Sequence, residues 1–206
     1  MPEREFSGQT VLIAAAGCEQ GVALGHAFCA AGARVVLVDR DEARIIEIAT
    51  LARDRIEPLA LDPLRPDLCR RLGEIWADEP LAALIHLQPL RHPERIGATL
   101  TAIPALTRDL AGALRAGQGS VLTLFSAPNA LAGVDRQLFD RALSAMPETL
   151  QGKLDARGIR VNGLRLPASR CESVPEQDLT AAALFLCGVR GRAVGGALLP
   201  LRARCD

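Results

Sequence analysis

The chain has 206 residues, of which 49% are hydrophobic and only 3% aromatic, so aliphatic side chains must fill its core. This length fits one compact domain, and we expect a single domain over residues 1–206. Basic and acidic residues balance at 24 each. Such a surface has no strong field to hold the phosphates of nucleic acid or an anionic membrane, and we expect neither as a partner.

The apolar stretch nearest the N-terminus, Val11–Ala16, is too short for a signal peptide or a membrane span. We therefore expect a cytoplasmic protein. The six cysteines are scattered without a CxxC pair, and the three histidines are isolated from one another. We predict reduced thiols and no metal site.

Hydrophobic periodicity predicts strands and helices that alternate along the chain. The predicted strands are Val11–Ala16, Arg34–Val38, Ile56–Leu61, Leu81–Leu87, Ser120–Phe125, Ile159–Leu164 and Gly196–Leu201. The predicted helices are Val22–Ala31, Asp41–Ala52, Pro66–Trp76, Glu94–Arg115, Arg136–Arg157 and Glu176–Cys187. We expect Pro147 to kink or split the fifth helix. The alternation indicates an α/β fold of the Rossmann type, with a doubly wound parallel sheet of about seven strands between two layers of helices.

Six segments carry a more specific pattern. In chain order they are residues 8–13, 32–40, 61–62, 119–126, 158–162 and 175–186. Together they resemble the scaffold motifs of the short-chain dehydrogenase/reductase family, whose members are NAD(P)-dependent oxidoreductases. The resemblance covers nearly the whole chain and implies the same fold.

The resemblance places a phosphate-binding turn directly after the first strand. Family members have TGxxxGxG there, whose glycines let the backbone approach the pyrophosphate. This chain has residues 14–21, AAAGCEQG, so only Gly21 remains in register. A methyl group at Ala15 could crowd the turn, and Glu19 would bring a carboxylate near the pyrophosphate unless it points into solvent.

Two aspartates match family positions on the adenosine side of the cofactor. Asp39 stands where the family acid binds the ribose and favours NAD, and Asp62 stands where an aspartate contacts the adenine region. An alternative is that both are solvated residues at strand ends. Because the glycine turn is altered, we expect no cofactor bound by this chain, and we regard Gly17, Gly21, Asp39 and Asp62 as vestigial positions.

The family's catalytic set of Asn, Ser, Tyr and Lys is largely missing. Ser126 matches the serine, but the tyrosine position holds Phe139 and the lysine position, four residues on, holds Leu143. The chain has no tyrosine, and its one lysine, Lys153, lies about 15 Å further along a helix. No asparagine precedes Asn129. The resemblance therefore implies no catalytic residues, with Ser126, Phe139 and Leu143 as vestigial positions.

His86, in the segment that matches the family's NNAG motif, is a conceivable substitute acid or base, since histidine titrates near neutrality. The alternative is a structural histidine at a strand end. The chain is also short after Pro89 and after Pro167, where family members carry the connection over the active site and the mobile substrate lid. Losing both would remove the walls of a substrate pocket.

Three functions remain open at this point. The first is an inactive structural subunit of a hetero-oligomeric NAD-dependent dehydrogenase, which the resemblance extends to enzymes that act on CoA-thioesters in aromatic catabolism. Its active partner would hold the NAD and would contact helices 94–115 and 136–157 and the C-terminal strand. The second is a divergent active oxidoreductase that moves protons through Ser126, His86 or water. The third is a nucleotide-binding sensor.

Overall fold

A computed structural model of the protein describes residues 5–126, 133–168 and 174–203. Seven strands form one sheet in the order β3-β2-β1-β4-β5-β6-β7, and every neighbouring pair is parallel. The strands are β1 Thr10–Ala14, β2 Arg34–Asp39, β3 Ile56–Ala60, β4 Ala83–His86, β5 Ser120–Phe125, β6 Arg160–Arg165 and β7 Leu198–Pro200. The predicted Rossmann-type fold is confirmed.

Eight helices connect these strands within the described ranges. They are α1 Glu19–Ala30, α2 Glu42–Ala49, α3 Pro66–Trp76, α4 Gln88–Arg91, α5 Ile96–Asp109, α6 Ala111–Ala116, α7 Gly133–Leu154 and α8 Glu176–Cys187. None of them is both long enough and apolar enough to span a membrane. The helices are instead packed on the sheet, as the division of the core shows.

The core is split between the two faces of the sheet. Val11 and Ile13 of β1 belong to a cluster formed with α1, α2 and α8, whereas Leu12 belongs to a cluster formed with α3, α5 and α6. Successive residues of a strand point to opposite faces. A parallel sheet covered on both faces therefore needs apolar residues at every position, and β1 is buried throughout.

The structure differs from the sequence-based prediction in three helices. The predicted helix Glu94–Arg115 is two helices, α5 and α6, which are separated at Leu110 by non-helical backbone. Helix α4, a single short turn, was not predicted. Pro147 does not split α7, which runs through it. Its ring packs on β6 at Gly163, where an added Cβ would lie 2.9 Å from the Pro147 Cγ.

The order of strands reverses at β1, which has β2 on one side and β4 on the other. In open α/β sheets the loops at such a switch point leave a crevice beyond the carboxyl ends of the strands. Here the residues that follow β1, β2 and β4 face this crevice. The fold thus brings together the turn after Ala14, the end of β2 at Asp39 and the segment after His86.

Candidate functional site

The loop that joins β1 to α1 makes a tight turn at this crevice. Ala15 directly follows β1 and has a φ of 62°. This is the left-handed region, which glycine adopts at least cost. Gly21, in the first turn of α1, packs so closely that an added Cβ would lie 2.0 Å from the carbonyl oxygen of Ala16. The backbone therefore keeps a conformation that suits glycine, although alanine stands at position 15.

Asp39 lies beside this turn and is fully buried. Its Oδ2 accepts a hydrogen bond of 2.8 Å from the backbone N–H of Gly17, and its Oδ1 accepts one of 2.9 Å from the N–H of Asp41. The structure thus brings together two of the predicted positions, Gly17 and Asp39. The guanidinium of Arg91, at the end of α4, completes the group, with Nε 3.5 Å from the Asp39 Oδ2.

Asp62 follows β3 on the same edge of the sheet. Its Oδ1 accepts a hydrogen bond of 2.9 Å from the backbone N–H of Leu64. Its Oδ2 lies 3.9 Å from Nη1 of Arg95. Sequence reasoning missed Arg91 and Arg95. The sequence shows two arginines four residues apart in the connection after the fourth predicted strand, but not which acids they contact.

The start of α1 lacks an obvious catalytic group. Glu19, its first residue, is exposed, so its carboxylate lies toward solvent. Cys18, the N-cap residue, has a thiol whose pKa is raised, chiefly by burial. A thiol with a raised pKa stays protonated at neutral pH and is a weak nucleophile. This end of the helix therefore offers backbone N–H groups rather than a reactive side chain.

The positions of the missing tyrosine and lysine are part of the core. Phe139 and Leu143 lie on one face of α7, and neither side chain has any exposed surface. They form an apolar cluster with Ile103, Phe125 and Met146. A phenyl ring and an isobutyl group in this cluster have no proton to exchange. They pack where the resemblance would place the general acid and the residue that lowers its pKa.

The two remaining polar residues of the predicted catalytic region lie apart. Ser126 directly follows β5 and is half-buried at the carboxyl edge of the sheet. Lys153 lies exposed in the last turn of α7. Ten residues of helix separate it from Leu143, a rise of about 15 Å. Lys153 therefore cannot act on a group beside Ser126.

Solved structures of several enzymes share this architecture. The chain matches a short-chain dehydrogenase/reductase from Burkholderia xenovorans with a TM-score of 0.81 at 19% identity, covering 98% of this chain and 99% of that one. It matches the NADP active-site complex of Pseudomonas aeruginosa RhlG with a TM-score of 0.79 at 17% identity, covering 97% of both chains. The 3-ketoacyl-(acyl-carrier-protein) reductase of Brucella melitensis, complexed with NADH, gives 0.78 at 20% identity, over 95% of this chain and 97% of that one.

The chain has the fold of the short-chain dehydrogenases/reductases. No protein-family model and no curated protein matches its sequence. The likeness therefore lies in the three-dimensional arrangement.

The short-chain dehydrogenase/reductase fold corrects one prediction. The expectation that this chain binds no nucleotide cofactor is wrong, because neighbours with this fold are complexes with NADP and NADH. That expectation rested on the lost glycines of the turn. Ala15 shows why the inference failed, since its backbone takes the left-handed conformation without a glycine. Gly21 and the buried Asp39 also keep their places around the turn.

His86, at the end of β4, is a structural histidine in this fold. It is fully buried, with Nε2 3.0 Å from the Thr107 hydroxyl and Nδ1 3.3 Å from the Gln88 side-chain oxygen. One partner, Gln88, is two residues away in the sequence, and the other, Thr107, comes from α5. Burial lowers the pKa of His86 from 6.5 to about 3. The imidazole is therefore neutral at neutral pH and poorly suited to proton transfer.

The buried His86 predicts a dependence of stability on pH. Between pH 6.5 and about 3 the unfolded chain protonates this residue and the folded chain does not. Folding stability is therefore lost as pH falls below 6.5, at about 1.4 kcal/mol per pH unit. Urea unfolding of the wild type and of His86→Gln, at pH 6.5 and pH 5, should show that the wild type loses about 2 kcal/mol more. Equal losses of stability in both proteins would mean that the His86 side chain is solvated in the folded chain.

The buried cysteines are also poor nucleophiles at neutral pH. Cys69 and Cys187 are free and buried, and burial raises the pKa of each thiol to about 11. Cys171 and Cys205 lie outside the described residues. Across the part of the chain that the structure describes, no group of three or more His, Cys, Asp or Glu side chains is arranged to hold a metal ion.

Proposed function

We propose that this chain is a non-catalytic protein of the short-chain dehydrogenase/reductase fold that holds a nicotinamide dinucleotide and serves as a subunit beside an active relative. The observation that carries the proposal is the burial of Phe139 and Leu143. Both side chains have no exposed surface and pack on Ile103, Phe125 and Met146. The positions where a proton donor and the residue that lowers its pKa would stand are thus occupied by buried apolar side chains.

Reduction of a carbonyl needs a hydride and a proton. A bound NADH supplies the hydride, and the protein must place a proton donor near the carbonyl oxygen. Phe139 has no such proton, and His86 is a buried neutral imidazole with a pKa of about 3. Ser126 has a hydroxyl, but a serine hydroxyl by itself is a poor acid or base. The described residues support binding better than turnover.

The residues at the crevice fit the adenosine and pyrophosphate end of a dinucleotide. The turn at Ala15 and the close approach of Gly21 give the backbone access that a pyrophosphate needs at the start of α1. Asp39 lies at the end of β2, where a carboxylate can accept hydrogen bonds from a ribose. The binding part of the proposal rests on these groups.

Exposed apolar side chains favour a protein partner. Val134 and Leu138 of α7 are 68% and 61% exposed, and Leu199 of β7 is 40% exposed. The predicted partner surface includes α7 and the C-terminal strand. Burying such side chains against another subunit gains about 25 cal/mol for each Å² of apolar area removed from water. We propose that an active short-chain dehydrogenase/reductase subunit covers this face in a hetero-oligomer, with a heterotetramer as the expected form.

Purification tests the proposal in two arms. The tagged chain is isolated once after expression alone and once from its native host, and NADH binding and NADH oxidation are measured on both samples. We expect the isolated chain to bind NADH without oxidising it. The native sample should contain a second chain and should carry the oxidoreductase activity.

Two outcomes would oppose this account. A native sample that contains this chain alone, as a monomer, would contradict the subunit role. Steady NADH oxidation by the isolated chain would instead favour the divergent active oxidoreductase. In that case substrates that resemble those of the 3-ketoacyl-(acyl-carrier-protein) reductase are the first to test, because that enzyme shares the fold.

A further inference from the structure

The short segment between β4 and α5 lies across the acidic side of the crevice. Arg91, at the end of α4, has Nε 3.5 Å from the buried Oδ2 of Asp39. Its Nη2 donates a hydrogen bond of 3.3 Å to Oδ2 of Asp41. The guanidinium also lies close to the turn. A Cβ added at Gly17 would be 3.1 Å from both Nε and Nη2. Arg91 thus touches both the turn and the end of β2.

A second arginine from the same segment faces the neighbouring strand. Arg95, four residues after Arg91, has Nη1 3.9 Å from Oδ2 of Asp62. Asp62 is the other acid that the family resemblance places at the adenosine side. Each of the two acids is therefore paired with an arginine from one short connection. We call Arg91 and Arg95 together the arginine cover.

The carboxylate of Asp39 is inaccessible beside Arg91. Oδ1 of Asp39 accepts a hydrogen bond from Asp41, and Oδ2 accepts one from Gly17 while also facing Arg91. The side chain has no exposed surface. A ribose can reach this carboxylate only after Arg91 moves away.

We propose that the arginine cover is an autoinhibitory contact, which a dinucleotide must displace to bind Asp39 with its adenosine ribose. The proposal rests on the nucleotide binding proposed above and adds a contact that limits that binding. A site that is open for only a fraction of the time binds with an affinity reduced by that fraction. Removing the cover should therefore tighten binding rather than weaken it.

The contacts of Arg91 are suited to being broken. The separation of 3.5 Å from Asp39 is long for a charge-assisted hydrogen bond. The Nε of Arg91 is buried without a hydrogen-bond partner among the described residues, and an unsatisfied buried donor carries a cost. The Arg91 side chain is also 28% exposed, so it has a path into solvent. The cover is therefore a loosely held contact.

Calorimetry with ADP-ribose and NAD on the full chain tests the cover. The variants are Arg91→Ala, Arg91→Met and Arg95→Ala, and the control is Arg190→Ala, whose exposed arginine pairs with Glu5 instead of Asp39 or Asp62. We expect Arg91→Ala and Arg91→Met to tighten the Kd for ADP-ribose about tenfold, and Arg95→Ala to tighten it less. The control should match the wild type. If the alanine variant does not fold, the methionine variant replaces it, because methionine keeps a long side chain without the charge.

The outcomes separate the cover from the function on which it rests. Binding by an Arg91 variant but not by the wild type would also support the cover. If the wild type binds and the Arg91 variants bind equally or more weakly, the cover is wrong while nucleotide binding stands. A weaker Kd would make Arg91 a ligand of the nucleotide phosphates instead. If neither the wild type nor any variant binds, the proposed nucleotide binding fails, and the cover fails with it.

Discussion

Replacement of Leu143 by lysine is expected to destabilise the folded chain by roughly 3–5 kcal/mol. Leu143 has no exposed surface and packs on Phe139, Ile103 and Met146. A lysine there must bury an ammonium group in an apolar cluster or give up its proton, and both cost free energy. Urea unfolding at pH 7 measures the effect. The penalty should shrink at pH 9, where the ammonium loses its proton more readily.

Two matched variants make this result specific. Thr149→Lys introduces the same charge on an exposed part of α7 and should change the free energy of unfolding by less than about 0.5 kcal/mol. Leu143→Met keeps the apolar volume and should cost less than about 1.5 kcal/mol. If Leu143→Lys were as stable as the wild type, the position would be open to solvent.

Replacement of Gly21 by alanine is expected to cost about 3 kcal/mol or more in folding stability. The new Cβ would lie 2.0 Å from the carbonyl oxygen of Ala16 and 2.6 Å from its carbonyl carbon. These are backbone atoms, so no side chain can turn aside to make room. The turn and α1 would have to separate. We also expect NADH binding to be lost, because the helix terminus would move away from the crevice.

A second glycine in the same helix provides the control. The nearest heavy atom to an added Cβ at Gly25 is Cδ2 of Leu37, at 3.6 Å, which is an ordinary contact. Gly25→Ala should therefore stabilise the chain by about 0.5–1 kcal/mol, through helix propensity. Unfolding and NADH titration of the two alanine variants give a direct comparison. A Gly21→Ala protein as stable as Gly25→Ala would mean that α1 is not seated on the turn as described.

Much of the fold follows from the pattern of the sequence. The alternation of apolar runs with helical segments predicted a parallel sheet, because parallel strands need a crossover that is usually a helix. Pro66 predicted the start of α3 because its fixed φ suits the first turn of a helix. The break between α5 and α6 was not predicted, because Leu106, Leu110 and Leu114 continue one apolar helix face across it.

The candidate site was less predictable because it depends on contacts between distant segments. The identity of residue 15 suggested a crowded turn, but its backbone conformation could only be read from the structure. Phe139 and Leu143 were located by their spacing from Ser126, whereas their burial with Phe125 required the packing of α7. The contact between Arg91 and Asp39 joins residues 52 positions apart in the chain. No local pattern encodes it.

We propose that this chain holds a nicotinamide dinucleotide without the proton donor that carbonyl reduction requires. A single-turnover experiment distinguishes binding from reduction. The isolated chain, in excess over NADH, is mixed with a 3-ketoacyl thioester, while nicotinamide fluorescence reports binding and nicotinamide absorbance reports oxidation. We predict a fluorescence change that shows binding and no loss of absorbance. Binding followed by a loss of absorbance that Ser126→Ala abolishes would contradict the claim and make the chain an active oxidoreductase.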